Sequence, residues 1–189
     1  MKTHYIVFLY LLISLLHVGC NSETDITVYK IAKQPPLNKT EHHKTNNLSL
    51  NWTTPNNWIQ KPSTDFRIAS YDIPANNNEL ADLSVTKFPG DAGGIEQNVN
   101  RWRRQIKLDP LNKSDILTQA KIESNMLGEY FIFKLTNVEK SILAAIIPYT
   151  KNSPTVLETI FIKMQGSTKT IETLEYEFNL FCKSLHWNH

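Results

Sequence analysis

Histidine is missing from the whole stretch between residues 44 and 185; the six histidines are His4, His17, His42, His43, His186 and His189. A serine or cysteine nucleophile needs a base beside it, and a hydrolytic zinc needs imidazole ligands. A Ser/His, Cys/His or His-metal centre therefore cannot be assembled inside that stretch. Cysteine is nearly as scarce, with only Cys20 and Cys182. Charge of either sign is not in excess: 20 Lys and Arg stand against 18 Asp and Glu, with no long basic tract, which excludes nucleic acid as an expected partner. Neither G-x-G-x-x-G nor Gly-Lys-Ser/Thr occurs, so a nucleotide-binding loop is not expected. Carboxylates remain, among them Asp65, Asp72, Asp82, Asp91 and Glu96, but one sequence gives no separation between two acids, and glycosidic chemistry has no support beyond their presence. The chain reads as a non-enzyme with no metal and no cofactor.

Long apolar runs are confined to the N-terminus. Residues 1–20, MKTHYIVFLYLLISLLHVGC, join a positive start at Lys2 to an apolar run from Tyr5 to Val18, too short to span a bilayer comfortably, and then to Gly19 and Cys20. This resembles the bacterial lipoprotein signal, with His17 standing where that family usually carries Leu. The resemblance implies cleavage after residue 19, acylation of Cys20, a palmitate-bearing anchor and a location in the bacterial cell envelope facing the periplasm. Asn21, in place of Asp, favours the outer membrane. Several acyl chains, at about 0.8 kcal/mol per buried CH₂, hold a protein on a membrane. With Cys20 acylated, no disulfide is expected. Residues 20–46 are polar and broken by Pro35 and Pro36, which reads as a lipid-anchored disordered tether; residues 47–189 read as one α+β domain.

Within that domain, LSLNW from residue 48 alternates as a strand, and FRIASYDI (66–73) and LADLSVTKF (80–88) follow as β-type runs. After a helix near residues 95–107 and a shorter one from Ser114 to about Ala120, the segments flanking Gly128, then 141–150 and 155–165, continue as strands. Ile171, Leu174, Phe178, Phe181 and Leu185 recur at three and four, a long C-terminal helix capped by Ser167 or Thr168 and laid across a sheet face. Cys182 falls beside that stripe and reads as a buried thiol. Short connections favour a single antiparallel sheet of about six to seven strands flanked by helices.

Residues 87–107, KFPGDAGGIEQNVNRWRRQIK, hold three of the chain's six glycines, Gly90, Gly93 and Gly94. They specify a loop that needs positive φ. Ile95, Val99, Trp102 and Ile106 then form one narrow helical face, with Asn98, Arg101 and Gln105 along one edge and Arg104 and Gln97 next to them. Two readings stand. In one, backbone N–H groups after Gly93 and Gly94, the helix end, and Arg101 or Arg104 bind an anion. In the other, the glycines only turn the chain and Arg101 braces the loop by pairing with Asp82 or Asp91.

Residues 52–58 (W-T-T-P-x-x-W), 66–71 (F-R-I-A-S-Y) and 88–105 (F-P-G-D-A-G-G-x-x-x-N-V-N-R-W-R-R-Q) resemble an uncharacterised family of bacterial secreted proteins and lipoproteins. The order of elements is similar to the PsbP-like α/β/α sandwich that also occurs in DcrB-type lipoproteins. That resemblance implies an accessory or assembly role on a membrane complex, and an envelope protein as partner. The expected contact surface is Gly90, Asp91, Gly93, Gly94, Asn98, Arg101 and Arg104. The alternatives are a binder of a small anion or glycan at the glycine loop and Arg101, and a carboxylate enzyme using Asp82 or Asp91 with Arg101.

Overall fold

A computed structural model describes residues 49–188, apart from Asp65 and Asn77. The signal peptide, Cys20 and the expected tether lie outside these residues. Nine strands and three helices follow in order: β1 (Leu50–Asn51), β2 (Ile59–Gln60), β3 (Ala69–Pro74), β4 (Leu80–Pro89), α1 (Gly94–Gln105), α2 (Lys113–Thr118), β5 (Lys121–Asn125), β6 (Gly128–Thr136), β7 (Lys140–Tyr149), β8 (Glu158–Ser167), α3 (Thr168–Lys183) and β9 (His186–Trp187). Seven strands form one sheet in the order β2-β3-β4-β8-β7-β6-β5, and every pairing in it is antiparallel. The expected α+β sheet with a long C-terminal helix packed on it is what the chain forms.

Alternation decides which side chains go to which face. On one side, Tyr71, Ile73, Leu83, Val85, Leu143, Ile147, Ile160, Ile162 and Met164 form a core with Ile171, Leu174, Phe178 and Phe181 of α3. Each such side chain, fully withdrawn from water, contributes roughly 1.5–3 kcal/mol. Ser167 caps α3, its hydroxyl oxygen accepting from the Thr170 N–H at 3.2 Å. The helix ends at Lys183, two residues before the end of the apolar stripe, yet Leu185 is still fully buried beyond it. Cys182 is a buried free thiol, and burial pushes its ionisation well above the ordinary value.

On the other side, Val99, Trp102 and Ile106 of the α1 region and Ile116 of α2 pack on Phe133, Leu135, Ile142, Ala144, Ile146 and Phe161. These sheet residues belong to β6, β7 and β8 only. Seven strands spaced about 4.8 Å apart are about 29 Å wide, whereas a helix with its side chains is about 10 Å across. Two short helices therefore leave the β3–β4 end of this face without a helix over it. There β3 and β4 present Ser70, Asp72, Asp82 and Ser84, and β8 presents Lys163 and Gln165. The register sets them in two rows: Ser70 opposite Ser84 opposite Lys163, and Asp72 opposite Asp82 opposite Gln165.

The expected first strand at LSLNW does not join the main sheet. Leu50–Asn51 pairs with His186–Trp187 in a separate two-stranded sheet. The outer edge of β3 is taken by β2, with Ile59 opposite Asp72. Trp58, in a segment that reads as a turn-rich link, is buried against Phe181 at 4.9 Å and Tyr71 at 5.5 Å between ring centres. Among the described residues no helix is long and apolar enough to cross a membrane.

Candidate functional site

The glycine loop is built as specified. Gly90, Gly93 and Gly94 have φ of 64°, 86° and 74°, and Ala92 joins them at 50°. Its backbone donors are used internally. The Gly94 N–H donates to the Asp91 carbonyl at 2.9 Å, and the Gly93 N–H donates to the Asp91 carboxylate at 3.3 Å. Asp91 thus takes up two of the N–H groups that the anion reading left free, Gly93 with its carboxylate and Gly94 with its backbone carbonyl. Thr159 fastens the loop to β8 by donating to the Gly90 carbonyl at 2.6 Å.

From Gly93, α1 runs with the expected stripe inward: Val99 and Trp102 are buried, as is Ile106 at the helix's end, and Ile95 is partly so. The edge residues do more than the wheel indicated. Asn98 is buried, and its amide donates to the carbonyls of Ala92 at 3.0 Å and Gly94 at 2.7 Å. Its oxygen accepts from Arg101 Nη2 at 2.6 Å. Arg101 does not pair with Asp82 or Asp91. Asp82 lies on β4, where Lys61 at 2.6 Å and Arg67 at 3.4 Å already hold it, and Arg101 is instead pinned, exposed, on the buried asparagine. Asn100 and Arg103 serve the fold: Asn100 exchanges two bonds with the Leu111 backbone, and Arg103 Nε donates to the Asp109 carbonyl. Arg104 is exposed. A hollow of about 500 Å³ is lined by Ala92, Glu96, Gln97, Asn98, Asn100, Arg101 and Arg104.

The β3–β4 end of the sheet, with no helix over it, adjoins this edge of α1. Asp72 and Asp82 sit directly opposite each other, an arrangement that repels. Lys61 Nζ bridges them at 2.6 Å to each. Burial pushes the Asp82 carboxyl up, but the Lys61 hydrogen bond and the charges of Arg67 and Lys61 outweigh it and hold the acid below its ordinary value. The hydrogen bond to Asp72, then that to Asp82, raises Lys61 in turn. Lys163 Nζ donates to Gln105 Oε1 at 3.0 Å. A second hollow of about 350 Å³ is lined in part by Asp82, Gln105, Gln165 and Gly166. The single sequence gave no warning of Lys61, Arg67, Lys163 or Gln165, because each is an ordinary polar residue until cross-strand register places it. Among the described residues no group of three or more His, Cys, Asp or Glu could hold a metal.

The architecture defines a class: an antiparallel sheet with helices on both faces and a polar, histidine-free surface beside one of them. The chain matches no protein-family model and no curated protein. In structure it is similar to LpqN of Mycobacterium tuberculosis, a protein involved in cell envelope biogenesis, with 13% identity over 79% of this chain and 90% of that one and a TM-score of 0.47. It is also similar to a cyanobacterial PsbP from Synechocystis sp. PCC 6803, with 16% identity over 82% of this chain and 100% of that one and a TM-score of 0.43. A protein from Bacteroides thetaiotaomicron VPI-5482 matches with 8% identity over 74% of this chain and 45% of that one, at a TM-score of 0.40. A PsbP is thus among the neighbours, as the order of elements suggested.

Proposed function

We propose that this is a lipid-anchored lipoprotein of the bacterial cell envelope, held by Cys20 and facing the periplasm, whose folded part is a non-enzymatic accessory domain that docks an envelope protein through α1. The observation that carries the docking reading is Arg101. Its guanidinium is exposed, yet one nitrogen is fixed at 2.6 Å on a buried asparagine that is itself tied to two loop carbonyls. Ordering a long cationic side chain before a partner arrives lowers the entropy lost on binding. Arg101 and Arg104 beside a shallow polar hollow suit an acidic patch with forked hydrogen-bond acceptors. The lipid anchor rests on the resemblance of residues 1–20 to a lipoprotein signal.

The enzyme alternative is weakened by Asp82, which is ion-paired twice and held ionised, a poor general acid. Anion binding by the glycine loop is weakened by Asp91, which occupies the Gly93 N–H.

The test places a photo-crosslinking residue at Arg104 in cells expressing the full chain. The expected result is one adduct of defined mass that disappears with Arg101→Glu, together with palmitate labelling that disappears with Cys20→Ala. An adduct pattern unchanged by Arg101→Glu overturns the docking surface. Labelling that survives Cys20→Ala overturns the anchor.

A further inference from the structure

We infer that the helix-free β3–β4 end of the sheet is an oxyanion site, in which Lys163 of β8 and Arg101 of α1, flanked by Arg67, receive a phosphate or carboxylate group along the edge of α1 that carries Arg101 and Gln105. This goes beyond the docking reading and does not depend on it: docking needs only α1, whereas this site needs Lys163.

The charge count on this surface does not close. Five cations stand there, Lys61, Arg67, Arg101, Arg104 and Lys163, and three carboxylates, Asp72, Asp82 and Glu96, the last lining the Arg101 hollow without an ion pair. Lys61 bridges both carboxylates, and Arg67 takes a second place on Asp82 while donating to the buried Ser70 hydroxyl at 3.0 Å. Gln165 Nε2 also approaches Asp82, at 3.4 Å. That leaves Lys163 and Arg101 facing neutral oxygens, Gln105 Oε1 at 3.0 Å and Asn98 Oδ1 at 2.6 Å. Both cations are positioned by an amide and neither is neutralised.

The surroundings of Lys163 sharpen the point. It stands on a strand between β4 and β7, with Ser84 and Ala144 as its cross-strand neighbours. Burial lowers its affinity for a proton; Arg67 and Arg101 lower it further, and Asp82 acts against them. A purely structural position would hold a neutral side chain here at less cost to the fold. Residues kept against stability are commonly kept for binding. Lys163 lines neither hollow; space for a ligand lies along the edge of α1 that its ammonium meets at Gln105. Arg101 lines the hollow of about 500 Å³ and Gln105 that of about 350 Å³, both on the same edge of α1. An oxyanion between them would accept from the remaining N–H groups of the Lys163 ammonium and the Arg101 fork.

The test titrates the full-length chain calorimetrically with inorganic phosphate and with citrate, at ionic strength held constant with sodium chloride. Sedimentation with phosphatidylglycerol vesicles is compared with phosphatidylcholine vesicles. Saturable binding of at least one probe is expected, weakened tenfold or more by Lys163→Gln and by Arg101→Gln, and unchanged by Lys169→Gln on the opposite helix. A response to soluble probes identifies a free ligand, and a Lys163-dependent preference for phosphatidylglycerol alone identifies a lipid headgroup. As pH rises toward the ordinary 10.5 of a lysine, heats measured in two buffers of different ionisation enthalpy should reveal proton uptake on binding that Lys163→Gln abolishes. Thermal melts confirm that the variants are folded. Binding of equal strength in Lys163→Gln, or a wild-type response to all probes no different from chloride, overturns the site.

Discussion

Asn98 is 2% exposed and gives both amide hydrogens to carbonyls of the loop before it. Replacing it with alanine strands two acceptors and frees Arg101 at once. Each buried group left without a partner costs about 1–3 kcal/mol, so Asn98→Ala should lose about 2–4 kcal/mol in urea denaturation. Arg101→Ala removes only the exposed end of the same chain of bonds, and its loss should stay below about 1 kcal/mol. If the two substitutions cost the same, Arg101 is the brace and Asn98 a passenger. The glycines divide similarly. A Cβ at Gly90 would meet open space, so Gly90→Ala carries only the left-handed backbone cost of about 1–2 kcal/mol. At Gly93 the new carbon would also come within 3.1 Å of Gln97 Oε1, and Gly93→Ala should cost at least as much. Thermal melts of the pair check that order.

At the scale of elements, the β3–β4 pairing holds because one ammonium lies between two opposed carboxylates. Lys61→Met should destabilise by about 1–2 kcal/mol at pH 7, a modest figure because all three side chains are between a fifth and a third exposed. The sign with pH follows from Asp82. Its folded value is depressed, so its contribution is complete above the ordinary 3.8 and is lost as pH falls through the lower folded value. The penalty of Lys61→Met should therefore shrink below about pH 4, as read from urea titrations at pH 7 and pH 3. Lys163 runs in the opposite sense. Its folded value lies below the ordinary 10.5, so the unfolded chain holds the extra proton between the two values and stability gains with rising pH in that window. Wild type and Lys163→Met should converge as pH climbs toward 10.5, with the variant the more stable at pH 7.

For the whole molecule, the ends of the described chain are tied together apart from the main sheet. β1 pairs with β9, the Asn188 N–H donates to the Ser49 carbonyl at 3.0 Å, and Trp187 packs at a tilt on Tyr149, 5.1 Å between ring centres. A two-stranded ladder is marginal alone and lives on such side-chain packing. Ending the chain after Leu185 should release residues 49–51 to fast hydrogen exchange and cost about 1–3 kcal/mol, while the seven-stranded sheet still unfolds as one cooperative unit. Fast exchange spreading through β3 and β4 would show that the small sheet supports the large one.

Local spacing in the sequence determined which segments become strands and helices, because side-chain periodicity is fixed by backbone geometry within one element. The α1 stripe at Ile95, Val99, Trp102 and Ile106, the positive φ at Gly90, Gly93 and Gly94, the Ser167 cap and the burial of Cys182 were all legible there. Partners far apart in the chain were not. Nothing near Leu50 names His186 and Trp187 as its pairing strand. Nothing near Asp82 says that Asp72, Lys61 and Gln165 will surround it. Nothing near Lys163 says that it will meet Gln105 on the edge of α1. Those placements depend on strand order, on register to the single residue and on how much of a sheet about 29 Å wide two short helices can cover. Only the tertiary structure decides such quantities, because they arise from elements meeting across the core and not from the residues within any one of them.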